Sequence, residues 1–267
     1  IDCYIKEFDV PDYAEKNSLS PEQAAREIRI NSLFDKAKKI GADKIALAHN
    51  KNDLVETVFL NLFRGSSLSG LSGIKSKTVI KDFTIIHPLL AIKRNKIEKY
   101  CSKNNLNPRH DKSNDEKVYT RNKIRHDIIP YIEKEINPAV IDVVSRASKI
   151  FKDENKYLEE LSTERLEEII IEKKEKEIIL SLSKLKDLKE VMKRRVLFKA
   201  IYKLKEEKSD IYLKHYNEIK KIFKKSSGTK SIDLPDKIIV KRIYDKLIIQ
   251  KSLNKDNIKN YSLDLKI

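Results

Sequence analysis

The sequence predicts an α/β fold over its first half, then a helical connector and a small basic α+β module. Three observations carry that reading. Short strands at Cys3–Phe8 and Lys44–Ala48 each lead into a helix-length amphipathic stretch, the alternation from which parallel sheets are built, and a further strand is expected at Thr84–His87. Residues 137–177 are densely charged with an Ile/Leu stripe, as in long exposed helices. Beyond about 178, helices near 185–205 and 210–225 give way to Ile238–Ile243 and Leu247–Ile249, which alternate or run apolar like strands. The expected divisions are 1–136, 137–177 and 178–253, with 254–267 opening a further domain.

Cys3–Phe8 reads as a short strand closed by Asp9-Val10-Pro11. Ser20 caps a helix with Pro21 at its first position and Gln23 completing a capping box. Leu33, Phe34, Ala37 and Ile40 form its later stripe, and Gly41 stops it. Lys44–Ala48 is expected to be a strand buried on both faces. Leu54, Val55, Val58, Phe59 and Leu62 line one side of the next helix. Three of the five glycines then fall in Arg64–Gly73, so that loop has a specified shape. A helix over Lys93–Asn105 and a polar stretch at 107–117 follow.

Composition narrows the function. The chain has 267 residues, a formal net charge of +16 and a pI near 9.5. At 40% hydrophobic residues it is too apolar for a disordered tail and long enough for a sizeable core. No apolar run approaches the roughly 20 residues of a membrane span, and no leader opens the chain. Cys3 and Cys101 form neither a disulfide framework nor a metal cage, which points to a reducing cytoplasm. A start at Ile1 and a sole methionine at Met192 read as a piece of a longer protein. A Lys-, Ile- and Asn-rich chain is also what an AT-rich genome encodes, but that bias would spread charge evenly. Here residues 1–136 carry net +6, 137–183 net −3 and 184–267 net +13. A concentrated positive field of this kind most commonly faces nucleic acid.

Three constellations carry candidate chemistry. Ligands of open α/β sheets sit beyond the carboxyl ends of the strands, where His49 falls. Asp53 and Glu56 follow three apart on the next helix, two carboxylates able to hold a metal ion or an ammonium group. Capping by Asn50 and Asp53 accounts for the same residues. In Thr120–His126, Arg121 and Arg125 stand a turn apart, as do Asn122 and His126, with Ile124, Ile128 and Ile132 as the buried stripe. Such an arginine pair suits a bidentate phosphate clamp or simply a solvated basic face. Arg26 and Arg29 form a similar pair. Lys193, Arg194 and Arg195, then Lys214, Lys220, Lys221, Lys224 and Lys225, interleave with Tyr202, Tyr212 and Tyr216. That mixture suits RNA phosphates and stacked bases, or a core with a charged rim.

The strings IALAHNKNDLVETVFLNLFRGSSLSGLSGI (45–74), HPLLAIKRNKIEKYC (87–101), DKSNDEKVYTRNKIRHDIIP (111–130) and GTKSIDLPDKIIVKRIYDKLII (228–249) together resemble the tRNA(Ile)-lysidine synthetase family of PP-loop ATPases. The resemblance implies a Rossmann-like catalytic domain and a reaction on tRNA. ATP with Mg2+ adenylates the wobble cytidine of a CAU-anticodon tRNA(Ile), and free L-lysine displaces AMP to give lysidine. On that basis Asp53 and Glu56 serve lysine recognition or Mg2+ organisation, with His49 lining the pocket. Arg64, Arg121, Asn122 and Arg125 face ATP phosphates. Arg26, Arg29, Lys193, Arg194, Arg195, Lys220, Lys221 and Lys224 face tRNA. No membrane contact is expected, and a homodimer is allowed for.

Departures from the family pattern are specific. Asn50 and Asn52 stand where the family commonly has a second His and an Asp. The phosphate-cradling Ser-Gly-Gly-x-Asp-Ser loop does not occur in the 267 residues and is expected upstream of Ile1. The chain alone is therefore expected neither to bind ATP tightly nor to make lysidine. Two alternatives stay open: another PP-loop enzyme such as a tRNA thiolase, which would carry paired CxxC motifs, and a non-catalytic RNA-binding protein, which would need only the basic module.

Overall fold

A computed structural model describes residues 3–80, 82–109, 120–205, 211–223 and 230–251. The chain divides into two compact units, Ile1–Asp153 and Glu154–Ile267. In the first, α1 (Val10–Lys16) precedes α2 (Pro21–Lys39), whose start follows local chemistry. Ser20 accepts from the Gln23 backbone N–H, and the Gln23 side chain accepts from Ser20 N–H. Gly41, at φ +67°, lets the chain leave the helix. Cys3–Phe8 forms no strand: these residues are exposed and pair with nothing in either sheet.

The first sheet has the order β1–β3–β2 among the described residues, with β1 (Lys44–Ala46), β2 (Lys77–Ile80) and β3 (Phe83–Ile86). β1 and β3 are parallel, with Ile45 opposite Ile85, so a parallel pair forms, but between strands other than the expected Cys3–Phe8 and Lys44–Ala48. β2, which the pattern does not reveal, pairs antiparallel with β3. β1 also departs from expectation in its burial. Ile45 is buried against Phe34, Ala37 and Ile85, while Lys44 and Ala46 are exposed. The Ile45 face of the strand is covered and the Lys44/Ala46 face is exposed, and the strand has one neighbour among the described residues.

α3 (Lys51–Phe63) buries Leu54, Val55, Glu56 and Val58, whereas Leu62 and Phe63 remain exposed. The glycine-bearing segment after it folds into the short helix α4 (Leu68–Leu71) against α3, tied by Asn61 Nδ2 donating to Gly70 O at 2.8 Å. α5 (Arg94–Lys103) follows β3. α6 (Thr120–Lys123) and α7 (Ile129–Glu135) flank a π-turn at Ile124–Ile128, in which Ile129 N–H donates to Ile124 O. Pro130 lacks the N–H that would bond the His126 carbonyl, which favours the wider turn. The extra residue moves the buried stripe: Ile124 and Ile129 are buried, and the expected Ile128 and Ile132 are half-buried beside them.

α8 (Val140–Ile169) runs from the first unit into the second. The helix ends at Ile169, short of the predicted 177, and β4 (Ile170–Lys174) begins. β5 (Glu177–Ser181), β6 (Lys230–Leu234), β7 (Ile238–Ile243) and β8 (Lys246–Lys251) complete an antiparallel sheet of order β4–β5–β8–β7–β6. α9 (Leu182–Asp187), α10 (Glu190–Leu204) and α11 (Leu213–Lys221) pack on it through Leu185, Leu197, Ile201 and Ile219, all fully buried. Each such side chain contributes about 1.5–3 kcal/mol.

Candidate active site

The site forms where β1 and β3 end. Asn50 caps α3 by accepting from the Asn52 and Asp53 N–H groups, and Asp53 Oδ2 accepts from Asn50 N–H at 2.9 Å. The capping reading of Asp53 is therefore correct for one of its oxygens. The other, Oδ1, accepts from Arg121 Nη2 and Arg125 Nη2, each at 3.1 Å.

Glu56, one turn along, is 2% exposed. Its carboxylate accepts from Arg121 Nε at 2.9 Å, Arg125 Nε at 2.7 Å and Arg125 Nη2 at 2.8 Å. Two segments some 65 residues apart in sequence are joined by a two-carboxylate, two-guanidinium network. Burial works against the charge on Arg125, but its hydrogen bond and attraction to Glu56, with help from Asp53, outweigh that and raise its pKa. Asn122, between the arginines, is buried.

His49 lies beside this network. Its ring stands 4.9 Å, centroid to centroid, from that of His87, and its buried Nδ1 has no hydrogen-bond partner among the described residues. Burial pushes the imidazole below the usual histidine range. Asp53 opposes the shift, while His87, Arg121 and Arg26 reinforce it. Burial and these cations thus favour the neutral form of the His49 imidazole. The folded state binds fewer protons here than the unfolded state, so stability rises with pH across the interval. The contribution is complete above about 6.5 and is lost as pH falls toward the lowered pKa. The His49 imidazole shift in NMR should titrate below 6.5, and His49→Gln should flatten the acid side of a urea-stability profile.

The remaining sequence candidates are scattered. Arg29 is exposed on α2, as is Arg26, which only the field at His49 ties to the site. Arg64 is exposed at the end of α3. In the second unit, Lys193 and Arg194 are half-buried on α10. Arg195 donates to Glu159 at 2.7 Å and to Asn155 at 2.9 Å. Lys199 and Lys203, on the same helix, pair with Glu159 and Glu167. Lys220 pairs with Glu190 at 2.6 Å, and Lys221 is exposed. Lys224 and Lys225 lie outside the described residues. Tyr216 is buried, its hydroxyl donating to Glu190 at 2.8 Å, and Tyr202 packs against the core. Tyr212 is the exposed one of the three. Sequence reasoning missed His87, although it follows β3 as His49 follows β1. The strand-end rule that selected the first could have selected the second.

Residues 1–132 match the family described as PP-loop domain. Among curated relatives, tRNA(Ile)-lysidine synthase from Clostridioides difficile (strain 630) is 37% identical over 92% of this chain and 53% of its own length. The enzyme of the same name from Caldanaerobacter subterraneus subsp. tengcongensis is 38% identical over 96% of this chain and 54% of its own. The chain belongs to the tRNA(Ile)-lysidine synthase family. It spans about half the length of the curated relatives it matches. A solved structure, the U34-tRNA thiolase NcsA from Methanococcus maripaludis with its 4Fe-4S cluster, is 20% identical with a TM-score of 0.39, covering 50% of this chain and 45% of that one. That likeness is too slight to carry an argument. Among the described residues, no helix is long and apolar enough to cross a membrane, and Cys3 and Cys101 are free thiols.

Proposed function

We propose that this chain forms part of an enzyme that ligates free L-lysine to the wobble cytidine of a CAU-anticodon tRNA(Ile). The observation that carries the reading is the Asp53–Glu56–Arg121–Arg125 network, which joins two blocks of a lysidine synthase sequence beside the strand ends. The cytidine C2 oxygen bonds to the α-phosphorus as pyrophosphate leaves. The lysine amine then bonds to C2 as AMP leaves, and the amine loses a proton.

The residues present fit an anionic nucleotide. Arg26, Arg121 and His87 all act on His49, whose buried Nδ1 lacks a partner among the described residues. ATP, when bound, supplies the adenylyl group. Arg121 and Arg125 offset negative charge developing at phosphorus, and Asp53 and Glu56 hold both guanidiniums in place. This assigns the carboxylates a positioning role, not direct contact with lysine. They do not fit a Mg2+ ion in this arrangement, because each of their four oxygens already accepts from an arginine or a backbone N–H.

The test is lysine incorporation into a CAU-anticodon tRNA(Ile) transcript by a polypeptide of the relatives' full length containing these 267 residues. Arg121→Ala should lower kcat at least about 100-fold, the scale of a lost charge-stabilising donor, with tRNA affinity retained. Undiminished turnover in Arg121→Ala would remove the assigned role.

A further inference from the structure

We propose that the cleft lined by Lys51, Lys93, Asn95, Lys96, Lys99 and Asp142 binds a phosphodiester of the RNA substrate, beside the candidate active site. The inference rests on the reading that the polypeptide acts on tRNA. The cleft, of about 360 Å3, lies within the first unit. Its lining carries four lysines against one carboxylate.

Two of the lysines are already oriented. Lys51 Nζ and Lys93 Nζ both hold Asp142, at 3.1 and 2.6 Å, and their side chains are only 22% and 33% exposed. The two lysines hold the Asp142 carboxyl below its usual range, Lys93 being the stronger influence. Lys96 and Lys99 stand three apart on α5, are exposed, and make no ion pair among the described residues. One carboxylate therefore offsets part of the field, and the two outer lysines meet solvent. Lysines are compact, rotatable point charges, suited to a phosphate backbone rather than to bidentate reading of a base.

The location ties the cleft to the chemistry. Lys51 N–H donates to Ile92 O at 2.9 Å, and Arg94 N–H donates to Asn52 Oδ1 at 3.0 Å. The start of α5 is thereby fastened to the first turn of α3. That same turn carries Asp53 on the active-site network. A backbone phosphate seated among the lysines is anchored on the helix turn that builds the site. A polyanion held there places a neighbouring nucleotide close to Arg121 and His49.

The experiment measures binding of a CAU-anticodon tRNA(Ile) transcript to the 267-residue chain across a salt series. Lys96→Ala/Lys99→Ala is the main variant; both residues are exposed and alanine keeps the helix. It should weaken binding and lower the slope of log affinity against log salt by about 1, the change expected when one phosphate contact is lost. Asp142→Asn, which removes the competing carboxylate, should tighten binding and steepen the slope. Wild-type binding with an unchanged slope in Lys96→Ala/Lys99→Ala overturns the cleft assignment, and lysine incorporation by the full-length polypeptide would show that the functional reading survives it. A wild-type chain that binds no tRNA overturns the cleft assignment as well, with the incorporation assay again deciding the functional reading. Binding of inorganic triphosphate that the double variant abolishes, with the RNA slope unaltered, would assign the cleft to a free phosphate and likewise overturn it.

Discussion

Glu56→Ala should lower the unfolding free energy by about 3–5 kcal/mol, the scale set by removing one partner of a buried ion pair. The carboxylate is 2% exposed and accepts three charged hydrogen bonds, so its loss leaves two guanidiniums facing each other with only Asp53 between them. Arg125 suffers most, because burial already disfavours its charge and Glu56 is the main compensation. Removing the orphaned partner as well should recover part of the loss. In a double-mutant cycle, Glu56→Ala/Arg125→Ala should therefore be less destabilised than the two single losses added together. Urea unfolding of the four proteins measures this. Strict additivity would mean that the pair interacts only weakly.

The second large effect belongs to Gly73→Ala. Gly73 sits at φ +62°, and a Cβ there would overlap the Leu54 side chain and lie 3.1 Å from Val58 Cγ2. The left-handed backbone costs about 1–2 kcal/mol in a non-glycine residue, and forcing a methyl into packed side chains costs about 1–3 kcal/mol. The sum, about 2–5 kcal/mol, falls on the helix that carries Asp53 and Glu56, so activity should decline with stability. Gly65→Ala separates the two causes. Gly65 has φ +70° but nothing within 4 Å of a new Cβ, so it should show only the backbone cost. Equal losses at the two glycines, measured by denaturant unfolding, would refute the packing contribution from Leu54 and Val58.

The glycine-rich segment illustrates how far sequence patterns reach. Three glycines in nine residues announce a specified backbone. They do not disclose that Gly73 lets the segment close on α3, because the partner atoms belong to Leu54 and Val58 on another helix. The Ile124 stripe shows the converse limit. Its four-residue spacing reads as α-helix, and the π-turn before Pro130 displaces the buried position by one residue. In the basic module, the run Lys193–Arg195 and the charge near Lys220 are evident from composition. Part of that charge is held internally: Arg195 and Lys199 pair with Glu159, Lys203 with Glu167 and Lys220 with Glu190. Net charge sums over a segment and is blind to which cations face solvent.

What the sequence by itself determined was local or additive. The capping boxes at Ser20 and Asn50, the strand-end location of His49 and the family all follow from neighbours in sequence or from motif order. Spacing also put Asp53 with Glu56, and Arg121 with Arg125, each pair on its own helix face. Only the tertiary structure decided that these two pairs meet, and that the carboxylates hold the arginines rather than standing open to an ammonium group or a metal ion. It likewise brought His87 to His49 and gathered Lys51, Lys93 and Asp142 at one cleft. The physical reason is the same in each case. Capping and periodicity act within a turn or two of helix, whereas a charge's partner is whichever opposite charge the packed chain brings within about 3 Å, regardless of the residues between them.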